Sequence, residues 1–190
     1  MVLKLSAILV SSLLYAVVRY IVCGPVDPIH MPVYILNKAT SVSSVVFLLL
    51  TALHYRRSPA KKNRFWGMAM VHSAFVHIVM SLSILSEAYY PKFFESGKMN
   101  LDGELTMMAG ALAAYCIWRI RSAGSDFMRR KLLQIFATLF IIVHLVAMGY
   151  RGWLTPGKWH GGLPPISLVG FVVAVAAVAL FLQAKEKSTD

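Results

Sequence analysis

The chain has 190 residues, of which 58% are hydrophobic and only 14% are charged, and its formal net charge is +11. Ordinary globular domains are about 45–50% apolar and 25% charged, so this composition argues against a soluble domain and predicts an integral membrane protein in a lipid bilayer. The basic residues cluster between apolar blocks instead of covering one face of a soluble fold. This pattern argues against nucleic-acid binding and favours topology signals and contacts with anionic lipid headgroups.

Six apolar blocks follow one another along the chain. Each is long enough to cross a bilayer, since about 20 helical residues match the roughly 30 Å hydrocarbon core. The predicted helices cover about 3–23, 33–55, 65–89, 101–118, 132–150 and 163–183. The predicted fold class is therefore all-α, a polytopic membrane helix bundle that forms a single transmembrane domain over 1–190. No small-residue cleavage site follows the first block, which favours an uncleaved helix over a signal peptide.

The positive charges are divided unequally between the two sides that six spans would create. Thirteen Lys and Arg residues lie on the side of the two termini and of the basic stretches 56–64 and 119–131, against six on the other side. The positive-inside rule assigns the richer side to the cytoplasm. The sequence thus predicts cytoplasmic termini at both ends, in a multi-pass protein of a cell membrane such as the bacterial inner membrane.

Three of the six histidines, His72, His77 and His144, lie well inside predicted helices, where an ionisable side chain is costly and a function is the default expectation. His77 comes 12 residues after Phe65, and His144 comes 12 residues after Leu132, the predicted starts of the third and fifth helices. Both would lie roughly 18 Å from the cytoplasmic edge. Histidines level on separate helices can ligate one haem iron axially, which makes His77 and His144 the predicted metal ligands. The alternatives are interhelical hydrogen bonds or another functional use.

The remaining candidates surround this pair. His72 is five residues before His77, so at about 100° per residue it points away from the same iron. It could serve a second, inner haem with His54 as partner, or form a hydrogen bond between helices. Haem propionates near the outer surface need cations, and Lys38 and Arg151 are available there.

The run Asn63-Arg64-Phe65-Trp66-Gly67, followed by His77, resembles the start of the third helix of the ferric-reductase-like transmembrane family. This family includes the haem-binding membrane subunit of the bacterial methionine sulfoxide reductase system. The resemblance continues through Gly110 and the stretch 122–144, and it covers about 36–153. It implies b-type haem held by histidines of helices three and five, here His77 and His144, and electron transfer across the membrane.

The chain departs from the family pattern near the inner end of the fifth helix. Family members usually have a second histidine there, whereas this region holds Lys131 and Gln134. One haem therefore fits better than two. No Gly-x-Gly-x-x-Gly motif follows the sixth block, so a flavin or nicotinamide domain is not expected in this chain.

The function predicted from these features is that of a membrane b-type cytochrome with haem b as cofactor. It would pass electrons across or within the membrane between a quinone or reductase and a separate redox partner. If it belongs to an enzyme, the chain is at most the electron-transfer subunit of an oxidoreductase, alone or with other membrane subunits. The alternative is a cofactor-free structural or assembly subunit of a larger membrane complex.

Overall fold

The fold is described from a computed structural model, which covers residues 1–26, 29, 31–57, 65–124 and 126–185, with only the backbone at positions 31 and 121. The described residues form six α-helices, which confirms the all-α prediction: α1 Val2–Val17, α2 Leu36–Arg57, α3 Phe65–Ser83, α4 Leu101–Ile120, α5 Phe127–Trp153 and α6 Ile166–Gln183. Short π-helical segments, Val18–Val22 and Met31–Ile35, follow α1 and precede α2. A two-stranded antiparallel hairpin, β1 Phe94–Glu95 and β2 Lys98–Met99, lies between α3 and α4.

Five helical segments of the described chain are long and apolar enough to cross a membrane: Val2–Val22, Pro32–Arg57, Phe65–Ser83, Phe127–Trp153 and His160–Gln183. This is the composition of an integral multi-pass membrane protein, because only helices and closed barrels satisfy their backbone hydrogen bonds in lipid. Helix α4 is not among the five, although it has 20 residues. It carries Asp102 and Glu104 in its first turn and Arg119 in its last, which lowers its mean hydropathy.

Contacts at the two ends of the bundle show that α5 runs antiparallel to α4 and to α2. One end carries β1 and β2 and is here called the hairpin end. At this end the Arg151 guanidinium of α5 lies 3.0 Å from the Asp102 carboxylate of α4. At the opposite end, here called the basic end, the Tyr55 hydroxyl of α2 donates to the Phe127 carbonyl of α5 at 3.2 Å. The start of α4 therefore lies beside the end of α5.

The helices pack unevenly around the bundle. Helix α2 is central and packs against α1, α3 and α6, while α5 packs against α4 and α6. Helix α3 makes extensive contact only with α2, and among its described residues Met70 alone is buried. The α3 helix and the α4–α5 pair consequently face each other through side chains, without close backbone packing.

Two helix boundaries differ from the sequence prediction by five or six residues, when the π-helical continuation of α1 to Val22 is counted with that helix. Helix α3 ends at Ser83 and not near Tyr89. The Ile84 N–H still bonds the Met80 carbonyl at 3.2 Å, and the Leu85 N–H then bonds the Leu82 carbonyl at 3.4 Å as the chain turns. Helix α5 begins at Phe127, before the predicted Leu132. Asp126 caps this extra turn by accepting a hydrogen bond from the Arg129 backbone N–H at 2.9 Å.

The hairpin is fitted tightly against the first turn of α4 at Gly103, whose N–H donates to the Asn100 side chain at 3.0 Å. A Cβ at Gly103 would lie 2.6 Å from the Met99 side chain and 2.9 Å from the Phe93 carbonyl. Both distances are shorter than van der Waals contact. Only a residue without a side chain therefore fits here.

We expect Gly103→Ala to destabilise the protein by about 1–3 kcal/mol, because the new methyl group overpacks the hairpin. Thermal unfolding of the purified protein in detergent measures this effect. The matched control is Gly152→Ala in α5, where an added Cβ would meet nothing within 4 Å. Equal unfolding temperatures for the two variants would contradict the assigned contact.

Candidate functional site

The structure brings together the two histidines on which the sequence prediction depends. His77 on α3 and His144 on α5 have ring centroids 6.5 Å apart, and their ring planes are nearly perpendicular at 89°. Both side chains are half-buried. The two rings thus meet across the space between α3 and the α4–α5 pair.

Hydrogen bonds at Nδ1 set the protonation of both rings. The His77 Nδ1–H donates to the Asn37 side-chain oxygen at 2.5 Å, and the His144 Nδ1–H donates to the Thr106 backbone carbonyl at 2.8 Å. Because both acceptors are oxygens without a proton, each neutral ring carries its proton on Nδ1 and its lone pair on Nε2. No hydrogen bond from the described part of the chain reaches either Nε2. Both Nε2 atoms are therefore free to act as ligands.

The pair can be tested against the geometry of an iron held between two imidazoles. Metal–nitrogen bonds of about 2.0–2.1 Å would put the two ring centroids roughly 6 to 6.5 Å apart. The observed 6.5 Å agrees with this range, and a perpendicular arrangement is allowed because each ring plane can contain its own metal–nitrogen bond. Within the described residues, no three His, Cys, Asp or Glu side chains gather to form a metal cage. Two histidine nitrogens are one of the ligand sets by which proteins hold haem iron, so this pair of donors fits haem.

Asn37 connects His77 to the hairpin end of the bundle. Its side chain is completely buried, and its oxygen also accepts a hydrogen bond from the Ser81 hydroxyl at 3.1 Å. Its amide nitrogen donates to the Tyr90 hydroxyl at 2.8 Å. Burial raises the pKa of Tyr90 to about 12, so this hydroxyl remains neutral at physiological pH. The amide thus holds the His77 ring in one orientation.

Sequence reasoning missed Asn37 as a site residue, although one signal was present. An asparagine within an apolar block has to find hydrogen-bond partners, because an unsatisfied amide is costly in lipid. The partners themselves, His77 and Tyr90, lie far along the chain and follow only from the packing of α2 against α3.

Helix α4 supports the other ring. Thr106 is buried and supplies the carbonyl that His144 bonds, and Gly110 lies one turn further along the same helix. A Cβ at Gly110 would be only 3.2 Å from the His144 Nδ1. The absence of a side chain at Gly110 therefore lets the His144 ring lie close against α4.

The predicted cation Lys38 lies beside the pair. Its ammonium nitrogen is 4.9 Å from the ring centroids of both Tyr34 and Tyr90, in cation–π contact. Lys38 is also next in the chain to Asn37, whose side chain bonds the His77 ring. Lys38 is therefore placed to interact with a ligand bound between the histidines.

A second lysine was not predicted, and the predicted arginine is already paired. The Lys92 ammonium group donates to the Met148 carbonyl of α5, and partial burial lowers the pKa of Lys92. Arg151 forms an ion pair with Asp102 at 3.0 Å, with its side chain 76% exposed. Lys38 and Lys92 thus form the cationic side of the site, while Arg151 lies at the surface.

The other two candidate histidines, His72 and His54, have surroundings different from those of His77 and His144. The exposed His72 bonds through Nδ1 to the Met68 carbonyl of its own helix at 2.7 Å. His54 has a buried Nε2 without a hydrogen-bond partner in the described part of the chain. The structure records no contact between His54 and His72 among these residues.

The site consequently consists of His77 and His144, the groups that orient them, and two nearby lysines. Asn37 and Thr106 fix the rings from α2 and α4. Compared with known proteins, the chain matches no protein-family model, no curated protein and no solved structure.

Proposed function

We propose that this chain is a membrane b-type cytochrome, which passes electrons across or within the membrane between a quinone or reductase and a separate redox partner. The observation that supports the proposal is the close approach of His77 on α3 to His144 on α5, with both Nε2 atoms free of hydrogen bonds from the described residues. The resemblance to the ferric-reductase-like transmembrane family at the third and fifth helices supports it. Bound haem b would supply a reversible one-electron iron couple.

In this function the protein would hold the haem iron through two histidines and would influence its reduction potential. His77 and His144 would provide the axial nitrogens from opposite helices. The hydrogen bonds from their Nδ1–H groups to Asn37 and Thr106 fix the ring orientations and make Nε2 a stronger donor. The surrounding apolar helices would keep water away and so influence the reduction potential.

The lysines support a ligand that carries acidic groups. In the described part of the chain, neither Lys38 nor Lys92 forms an ion pair, and the partial burial of Lys38 without a counter-ion is unfavourable. A propionate of haem b would offset this cost at Lys38. Arg151 could take a second propionate only by leaving Asp102, to which it is bonded.

We further propose that α4 is the fourth of six spans and that both termini lie in the cytoplasm. Its antiparallel course beside α5 supports a full crossing. The 13 basic residues on one side against six on the other give the direction. A bacterial inner membrane is the proposed location, and electron transfer to a partner protein or quinone would take place at its surfaces.

The absorption spectrum of the purified protein tests the function. We expect a Soret band that sharpens and shifts on reduction, with about one haem per chain by extraction. A colourless, folded protein from haem-replete cells would contradict the proposal. It would favour the alternative of a structural or assembly subunit.

Gly110 gives a test that leaves both ligands in place. We expect Gly110→Val to lower haem occupancy at least tenfold, because its side chain would displace the His144 ring from α4. The matched control is Gly67→Val on α3, where the nearest atom to an added Cβ is 3.9 Å away. Haem occupancy that falls equally in both variants would assign the loss to helix propensity instead.

A further inference from the structure

A groove lies at the basic end of the bundle, between the end of α4 and the start of α5. Its volume is about 390 Å³. Two arginines, Arg119 and Arg129, line it together with Asp126. Its remaining walls are apolar side chains of α5: Met128, Leu132, Leu133 and Phe136. The groove therefore combines a cationic part with an apolar part.

The two arginines of the groove form no ion pair with a described carboxylate. The Asp126 carboxylate is engaged by the first turn of α5, where it accepts a hydrogen bond from the Arg129 backbone N–H at 2.9 Å. Two guanidinium groups against one carboxylate leave the groove with a positive charge, and guanidinium groups bind phosphate with two parallel hydrogen bonds.

The apolar part extends along α5 in the direction of the membrane. Met128, Leu132 and Phe136 are spaced one turn apart and are 56%, 46% and 49% exposed. Phe136 lies seven residues beyond Arg129, or roughly 10 Å deeper along the helix axis. The spacing suits a molecule whose charged head stays at the interface while its tail enters the hydrocarbon.

We propose that this groove is a binding site for an anionic phospholipid, with the headgroup phosphate at Arg119 and Arg129 and an acyl chain along Leu132 and Phe136. A soluble phosphate would use the arginines but would leave the exposed apolar wall uncovered. Basic pockets between membrane helices are suited to acidic lipid headgroups. The site is separate from the histidine pair, and the inference does not require haem.

Native mass spectrometry of the full chain in detergent, titrated with phosphatidylglycerol or with phosphatidylcholine of the same acyl chains, tests the site. We expect the wild type to retain phosphatidylglycerol preferentially. The double variant Arg119→Gln, Arg129→Gln should bind it roughly 10- to 30-fold more weakly, since each surface arginine contributes about a fivefold change in affinity. The matched control is Arg56→Gln, Arg57→Gln, which removes two exposed arginines at the same end outside the groove.

The apolar wall gives a second measurement if the double variant aggregates. Phe136→Ser should weaken phosphatidylglycerol binding without changing the charge of the groove. The proposal would be overturned if Phe136→Ser bound phosphatidylglycerol as tightly as the wild type does, and if the double variant, where it is folded, did so too. It would also be overturned by displacement of the lipid by inorganic phosphate at equal concentration, which would identify a site for soluble anions, or by protection of the groove by a co-purifying protein instead of lipid.

Discussion

Replacing either His77 or His144 by alanine is expected to remove haem from the purified protein while leaving it inserted and folded. Each substitution deletes one of the two free Nε2 atoms and leaves a half-buried gap where the rings now meet. The loss of one axial ligand from a two-histidine site should reduce haem occupancy to a small fraction of the wild-type value. The Soret absorbance per chain, measured after gel filtration in detergent, gives the result.

His72→Ala is the control for these substitutions, because it removes a histidine from the same helix as His77. The His72 ring is exposed and bonds only to its own helix, so we expect wild-type haem occupancy. Retention of full haem by His77→Ala or His144→Ala would remove that residue from the ligand set. Loss of haem in His72→Ala would instead indicate an additional site.

Substitution of Asn37 by leucine is expected to have the second largest effect. Leucine is similar in size but cannot accept the His77 Nδ1–H or donate to the Tyr90 hydroxyl. Each buried group left unsatisfied costs about 1–3 kcal/mol, and loss of such a supporting hydrogen bond weakens binding at a metal site about 10- to 100-fold. Haem titration and thermal unfolding of the variant measure the two effects separately.

The matched control is Thr40→Val, one turn away on the same helix. The Thr40 hydroxyl donates only to carbonyls of its own helix, at 2.8 Å for Leu36. Its loss should leave both haem affinity and stability close to wild type. If Asn37→Leu behaved like Thr40→Val, Asn37 would not be the group that orients His77.

The helix bundle could be predicted from the sequence because lipid imposes a strong rule on the backbone. Every N–H and C=O within the hydrocarbon must be satisfied internally, so long apolar blocks form helices. The exact ends of the helices depend on local hydrogen bonds, which the pattern of apolar residues does not predict. The turn after Ser83 and the Asp126 cap at the start of α5 set two boundaries that this pattern does not predict.

The meeting of His77 and His144 was predicted from equal counts of residues from Phe65 and Leu132. The count of 12 residues to His144 began at Leu132, whereas α5 itself begins at Phe127. Leu132 instead marks where the basic residues end. Depth in a membrane is set by that boundary between charged and apolar residues and not by the helix terminus, which accounts for the agreement of the prediction with the contact at 6.5 Å.

The groups that orient the rings could not be predicted in the same way. Asn37 and His77 are hydrogen-bonded although they are 40 residues apart in the sequence, and Thr106 and His144 are 38 residues apart. Which polar atoms meet depends on how each helix is rotated about its axis, and weakly amphipathic membrane helices carry little sequence signal for this rotation. The ion pair between Arg151 and Asp102 likewise depends on the antiparallel arrangement of α4 and α5, so it could not be predicted from the sequence.

Electron paramagnetic resonance of the oxidised protein, frozen in detergent, tests most directly whether His77 and His144 join one haem. Two axial imidazoles give low-spin ferric iron, and ring planes near the observed 89° give a strongly anisotropic low-spin signal. We predict this signal in the wild type and its loss in both His77→Ala and His144→Ala. A high-spin signal, or a low-spin signal that survives either substitution, would contradict the assignment.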